Sequence, residues 1–519
     1  MPDSEQSYEN SDVANFYAGK NVFITGGTGF VGICLIEKLL RSCPDVSKIY
    51  ILMRPKKGVE IEKRLEELTK NLIFERLRNK NPNDDSIFKK LRAIAGDVGE
   101  PELGISSADR QLLAEEINIV IHSAATLDFQ ATLKPTVDIN LLGTRRMMEL
   151  ASTMKKLVAL VHVSSAYVNS FKLETEEILY PAPDDAEKVI GFANTLSEDA
   201  LDELTPKLLK DHPNTYTFTK HLAEHEVNKV ASKFPCAIVR PSMITASWKE
   251  PVPGWTISKN GPQGFLMGAS KGVVRRLPVG KDLIYDYIPV DIVVNQLLVA
   301  AYQAAKLKSS DLLIYHCTSS TYRPFRWATV ESKINGYLHK YPLKSAVWYP
   351  HLKLLPSIWL FKISALFFHF LPAYVLDFVT RIAGGRPILV KLHTNVNASL
   401  NRLERFIFTE WKFDNSKTLA LNKSLSEVDK NLFRIDIATL DWGNYFIDLT
   451  QGVRRYLSNE GPKTLNAARG KDTMLMIMHL AFQGIMFSLM WYLGSCALGM
   501  PMTKCPWLVP AFYILFSFL

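Results

Sequence analysis

The stretch Tyr216-Thr-Phe-Thr-Lys220 sets a phenol and an ammonium four residues apart, a spacing that puts both on one face of a helix. Upstream, the apolar run Leu157 to Val163 ends in Ser164-Ser165-Ala166-Tyr167, which places hydroxyls at the carboxyl end of a strand. Together these groups suit the reduction of a carbonyl. Tyr216 would pass its proton to the oxygen as hydride reaches the carbon, and the expected phenol pKa is well below that of free tyrosine. Lys220 favours the phenolate through its charge, and Ser165 donates to the substrate oxygen as negative charge develops there. Each group alone is commonplace, because Tyr-Lys pairs decorate helix surfaces and serines form turns. Their combination and order support the chemistry.

Hydride needs a donor, and Asn21-Val-Phe-Ile-Thr-Gly-Gly-Thr-Gly-Phe-Val-Gly32 offers a place for one. Val22 to Ile24 reads as a strand that runs into clustered glycines, after which Phe30, Val31, Ile33, Leu35, Ile36, Leu39 and Leu40 take up helical spacing. Gly27-x-Gly29-x-x-Gly32, overlapped by Gly26-x-x-Gly29-x-x-Gly32, lets the backbone turn sharply, approach a pyrophosphate and pack helix on strand. Gly26, Thr28, Gly29, Phe30, Val31 and Gly32 are therefore the expected phosphate-binding residues of a dinucleotide site. The next strand, Lys48 to Met53, ends in Arg54 with Lys56 and Lys57 close behind, where an NAD site usually carries an acid for the ribose 2′-hydroxyl. A cation there suits a 2′-phosphate, so NADPH is the expected cofactor; the alternative is a solvated basic strand end. Asp97-Val98 closes a third strand and is placed to meet the adenine. Ala124 closes a fourth, where small residues let the cofactor come close, and Pro241-Ser242 stands at the end of the sixth. Tyr216 and Lys220 complete the expected cofactor contacts, Lys220 through the nicotinamide ribose. His122 reads as a structural residue.

These groups need a scaffold that presents them at one edge. Strands over 22–24, 48–54, 91–97, 119–125, 157–163 and 235–244 alternate with helical patterns over 30–40, 60–80, 135–155 and 214–230, which predicts an α/β fold with a doubly wound parallel sheet. Such sheets carry their chemistry at the carboxyl ends of the strands. Phe171 to Pro213, acidic and broken by Pro181 and Pro183, reads as an excursion over the cleft with short helices.

A chain of 519 residues exceeds one ordinary domain. With 47% hydrophobic and 22% charged residues it is not a largely disordered protein. A net charge of +9 suits acidic ligands or an anionic membrane face, while the lack of a long Lys/Arg block argues against nucleic acid as a partner. Six cysteines without metal-ligand spacing read as reduced thiols, so no metal site is expected. Met1 to Tyr17 contains no apolar core of a signal peptide, and the catalytic part is expected to face the cytosol.

Residues of about 20 to 300 resemble an extended short-chain dehydrogenase/reductase with a Rossmann-type sheet, and in detail a fatty acyl-CoA reductase. The resemblance rests on Thr25-Gly-Gly-Thr-Gly-Phe-Val-Gly32, His162-Val-Ser-Ser-Ala-Tyr167 and Tyr216-Thr-Phe-Thr-Lys220. It extends to Gly254-Trp255, Asn260-Gly-Pro262, Lys271-Gly272, Ile288-Pro-Val-Asp-Ile-Val-Val-Asn295, and a distal run with Trp411 to Asn415, Phe433, Asp436, Asp441-Trp442 and Tyr445. Ile257-Ser258-Lys259 departs from the family's usual Asp-Asn after Gly-Trp. The resemblance implies a catalytic set of Ser165, Tyr216 and Lys220, with Asn140 supporting the proton relay. It further implies a long-chain acyl-CoA substrate reduced to a primary alcohol by two NADPH. Lys271, Arg275 and Arg276 are candidates for the CoA phosphates, or else an exposed basic helix. Competing expectations are a membrane-bound reductase of sterols or other hydrophobic carbonyls, and a nucleotide-sensing scaffold.

Thr473 to Met500 carries no Asp, Glu, Lys or Arg and exceeds the roughly 20 residues that cross a bilayer as a helix. Arg454, Arg455, Lys463, Arg469 and Lys471 precede it, which puts the reductase on the cytosolic side of the lipid bilayer. Endoplasmic reticulum is favoured, with peroxisome as the alternative, and a homodimer is compatible with the chain. Trp507 to Leu519 is too short for a full span. Leu354 to Val379 reads as helices that dip into the membrane or wall an acyl tunnel, or as ordinary core. The expected divisions are a polar tail (1–18), an NADPH-binding reductase domain (19–300), the remainder of the substrate part (301–352), a helical C-terminal domain (353–470) and a membrane anchor (471–519).

Overall fold

Seven apolar, β-branched runs lie side by side in one parallel sheet in the computed structural model, which describes residues 10–55, 58–80, 85–129, 131–308 and 311–518. They are β1 (Val22–Thr25), β2 (Ile49–Met53), β3 (Leu91–Ala95), β4 (Ile119–His122), β5 (Ala159–Val163), β6 (Cys236–Pro241) and β7 (Leu313–Cys317). Their spatial order is β7-β6-β5-β4-β1-β2-β3. β1, β2, β4, β5 and β6 are buried at every position, as strands covered by helices on both faces must be. The order reverses between β1 and β4, paired from Val22↔Ile119 to Thr25↔His122, so the crevice for a ligand opens beyond their carboxyl ends.

Two compact units share the chain. One comprises residues up to Thr256 with Ile284–Phe325 and Trp411–Asp441; the other comprises Ile257–Leu283, Arg326–Glu410 and Trp442–Leu519. The first unit holds the sheet. It also takes in Asp12–Tyr17, a helix capped by Ser11, whose Tyr17 is fully buried and donates to Leu298 O at 3.0 Å. This part of the expected tail thus packs as core, because Val13, Ala14 and Tyr17 share an apolar face; residues 1–9 lie outside the described residues, as do Lys56 and Lys57. The helix expected over 60–80 breaks at Asn71, whose side chain accepts from Ile73 N and caps a new turn. β7 was not expected; it extends the sheet beyond β6 with Leu313↔Ala237 through Cys317↔Pro241. The 171–213 excursion forms helices Ala186–Thr195 and Glu198–Leu209, whose Val189, Ala193, Leu201 and Leu208 cluster with Val137, Leu141, Phe218 and Leu222. It therefore buttresses the helix that carries Tyr216.

In the second unit two helices are long and apolar enough to cross a membrane, Ile358–Ile382 and Pro462–Ala497. Twenty-five residues rise about 37 Å, more than the roughly 30 Å of a hydrocarbon core. Pro372 falls beside a π-helical turn at Leu366–Phe370, where the backbone tolerates a missing N–H, so the helix continues through it. Trp359, Leu366, Leu371, Tyr374, Phe378 and Ile382 are exposed along it, which excludes the reading of this stretch as ordinary core.

Candidate active site

The Thr215–Asn228 helix begins at Asn214, whose side chain accepts from Thr217 N at 2.9 Å, and this cap fixes where the helix starts and which way Tyr216 points. Tyr216 is 7% exposed, its phenol close enough to the Ser165 hydroxyl to feel it and its ring met edge-on by Phe129. Ser165 also caps the turn that follows β5 by accepting from Tyr167 N at 3.2 Å. One turn along, the Lys220 ammonium donates to Val163 O at 2.7 Å and lies 3.5 Å from His162 Nε2. Three residues spread over more than fifty positions thus meet at the carboxyl end of β5.

Electrostatics depart from expectation here. Burial pushes the Tyr216 phenol up to about 12, with the nearby Ser165 hydroxyl working against the rise. Lys220 is pushed down to about 8 by burial, offset by Glu224. The Lys220 ammonium is turned to the Val163 carbonyl, and no lowering of the Tyr216 pKa by Lys220 is seen. His162 and His122 are held neutral by burial beside Lys220, His122 down to about 3. His122 bridges Thr25 Oγ1 at 2.7 Å and Thr144 Oγ1 at 3.1 Å, a satisfied core histidine.

What holds the helix in place is a buried ion pair. Glu224, two turns beyond Tyr216, accepts two hydrogen bonds from the Arg240 guanidinium at 2.8 and 2.7 Å and one from Ser164 Oγ at 2.6 Å. Both side chains are fully buried, and Arg240 also donates to Ile178 O at 2.9 Å. Asn140, on the π-helical turn Val137–Leu142, accepts from Thr126 N at 3.0 Å and donates to Thr219 Oγ1 at 3.2 Å. It ties the loop after β4 to the residue preceding Lys220, which makes it a positioning residue in this geometry. Ser164, Glu224 and Arg240 were missed as a set; the available signal was the i, i+4, i+8 spacing of Tyr216, Lys220 and Glu224 on one helical face.

The glycine turn fits a dinucleotide by its own contacts. Gly26 has φ +73°, and a Cβ there would lie 2.8 Å from Ala124 N; a Cβ on Gly32 would lie 2.2 Å from Gly26 O. Only glycine closes this turn against the Phe30–Ser42 helix, whose cap residue Gly29 brings no side chain and leaves the first N–H groups to an anion. Thr28 and Gly29 are exposed at the lip, Val31 is half-buried, and Phe30 stacks on buried Trp255 with centroids 5.6 Å apart. Arg54 is exposed at the end of β2. Half-buried Asp97 turns one oxygen to Gly99 N at 3.0 Å, and Val98 packs in the core. Ala124 N donates to Thr25 Oγ1 at 3.2 Å; Pro241 and Ser242 are buried at the end of β6. Lys271, Arg275 and Arg276 belong to the second unit, with Arg276 buried rather than on an exposed helix. Among the described residues no cluster of His, Cys, Asp or Glu is arranged to hold a metal.

Family models described as "Male sterility protein" match residues 24–297, as an NAD-binding domain, and 368–460. A Drosophila melanogaster protein whose name provisionally calls it a fatty acyl-CoA reductase, CG8306, is 57% identical over 98% of this chain and 100% of its own length. Fatty acyl-CoA reductase 1 of Xenopus laevis is 38% identical over 92% of both chains, and that of Homo sapiens 36% over the same share. This chain belongs to the fatty acyl-CoA reductase family. Like its relatives, the reductase is an oxidoreductase with a nicotinamide cofactor. Its fold is shared with the terminal R domain of the myxalamid biosynthetic pathway, with a TM-score of 0.55 at 20% identity over 85% of this chain and 91% of that one.

Two outcomes follow for the reductase. Glu224→Gln leaves the buried Arg240 cation uncompensated and is expected to cost about 3–5 kcal/mol, read as a lowered thermal midpoint in detergent. Lys220→Met removes an ammonium whose burial costs roughly 3 kcal/mol below pH 8, against the loss of one hydrogen bond to Val163 O. Between pH 8 and about 10.4 the unfolded parent binds more protons than the folded one, so the parent gains stability as pH rises. The variant's stability relative to the parent is therefore expected to be highest at pH 7 and to decline toward pH 10 in denaturation curves; a pH-independent difference rules this out.

Proposed function

We propose that this reductase converts a long-chain acyl-CoA to a primary fatty alcohol, releasing CoA and consuming two NADPH. The observation that carries the reading is the meeting of Ser165, Tyr216 and Lys220 at the end of β5, in a chain of this family. NADPH, when bound, supplies the hydride for each of the two reductions. Tyr216 gives its phenolic proton to the thioester-derived oxygen, and a pKa of about 12 keeps that proton in place at neutral pH until the oxygen becomes the stronger base. Ser165 donates to the same oxygen as it gains charge. The resulting hemithioacetal returns its hydroxyl proton to the Tyr216 phenolate as its C–S bond breaks, releasing CoA as the thiolate and leaving an aldehyde that the same groups, with Tyr216 protonated again, reduce a second time.

Gly26 and Thr28 to Gly32 hold the pyrophosphate in this reading, Arg54 the 2′-phosphate, and Asp97 and Val98 the adenine. Ala124, Pro241 and Ser242 border the nicotinamide end, with Lys220 on its ribose. The apolar helices Ile358–Ile382 and Pro462–Ala497 seat the second unit in a membrane, with the sheet in the cytosol and the endoplasmic reticulum as the favoured organelle. An acyl chain then enters from the bilayer that dissolves it.

Purified protein given NADPH and a long-chain acyl-CoA is expected to release CoA and fatty alcohol together. Tyr216→Phe should lower kcat about 10²- to 10⁴-fold while NADPH binding stays within about twofold. No CoA release from the parent, alongside reduction of a sterol ketone, would overturn the substrate. Arg54→Glu should shift preference from NADPH toward NADH by about tenfold to a hundredfold, the worth of a hydrogen bond to a charged group; unchanged preference rejects Arg54 as the 2′-phosphate ligand.

A further inference from the structure

In the second unit, the two ring nitrogens of His479 face two groups that can only donate. Trp348 Nε1–H approaches Nδ1 at 3.2 Å, and Arg275 Nη2 lies 3.5 Å from Nε2. A neutral imidazole has a single acceptor nitrogen. The closer indole claims Nδ1, so Nε2 bears the proton and confronts the guanidinium, donor against donor. The guanidinium is short of acceptors elsewhere too, since its buried Nε has no hydrogen-bond partner. Burial alone perturbs Arg275, with no carboxylate compensating it. Its main-chain N–H and that of Arg276 both donate to His369 Nε2, at 3.0 and 3.1 Å, which fixes the loop and brings a second guanidinium alongside, stacked 3.9 Å over Phe368. A half-buried guanidinium whose buried Nε has no partner and whose Nη2 meets another donor is best served by an anionic acceptor.

The position says which anion. His479 lies on the apolar Pro462–Ala497 helix, eight residues, or about 12 Å, beyond Lys471, the last basic residue before the uncharged stretch. Trp348 and Tyr349 flank it, Tyr349 stacked on the His479 ring with centroids 5.7 Å apart, and such amphipathic aromatics favour the headgroup level of a bilayer. We propose that Arg275 and His479 form a binding site for the phosphate of an anionic phospholipid. The proposal rests on the membrane reading above and is independent of the catalytic one.

The test uses the full-length protein in nonionic detergent, titrated with dioctanoyl phosphatidic acid, dioctanoylglycerol, inorganic phosphate or CoA, with binding followed by tryptophan fluorescence and thermal midpoint. Phosphatidic acid is expected to bind saturably and dioctanoylglycerol not. Arg275→Gln and His479→Ala are each expected to weaken phosphatidic acid about tenfold or more while NADPH binding to the first unit is retained as proof of folding. Parental affinity for phosphatidic acid in both variants overturns the site. Displacement of phosphatidic acid by CoA or inorganic phosphate, lost in the same variants, overturns the lipid assignment in favour of a soluble phosphate. Because alcohol formation is not read here, either negative leaves the reductase reading standing.

Discussion

The candidate active site depends on one buried ion pair. Glu224 and Arg240 are fully buried, and their fit is good only when the Thr215–Asn228 helix lies at one height against β5 and β6. Ser164 joins the carboxylate from β5, so three elements are pinned at a single charge. A buried pair adds little net stability over an apolar filling, because desolvation offsets much of the attraction. Its value here is registration: a helix free to slide by a residue would carry Tyr216 away from Ser165.

Burial sets the tone of the chemistry as well. The enclosure that excludes water from Ser165, Tyr216 and Lys220 raises the phenol and lowers the ammonium, the opposite of a strongly coupled phenolate and cation. In the proposed reaction such a phenol is a poor acid toward water and a ready one toward an oxygen that has just received hydride. Lys220 reinforces the arrangement by bonding the last carbonyl of β5, so a residue named for its charge also acts as a strut.

The second unit solves a different problem, that of carrying two long apolar helices. Half-buried Arg275 and buried Arg276 donate their main-chain N–H groups to His369 of the Ile358–Ile382 helix, and Gly272, with φ +75° and no room for a Cβ against Trp348 O, lies in the loop that carries the two arginines.

Much of the nucleotide half was legible because its signals are local. Between Val22 and Gly32 the strand, turn and helix start are written in consecutive residues, and the steric reason for Gly29 and Gly32 acts within the same turn, whereas Gly26 is required by Ala124 beyond the neighbouring strand. Tyr216 and Lys220 were legible for the same reason, four residues setting a shared face whatever surrounds the helix. β7 escaped notice because Leu313-Ile-Tyr-His-Cys317 is short and becomes a strand only through its pairing with β6. The two units alternate along the chain, and no local composition marks the passages between them. What the tertiary structure alone decided is whatever depends on pairs distant in sequence: Glu224 with Ser164 and Arg240, Asn140 with Thr219, Lys220 with Val163. The direction of each pKa shift belongs there too, because it follows from the loss of water around a group, and no spacing of residues specifies how deeply a side chain will be buried.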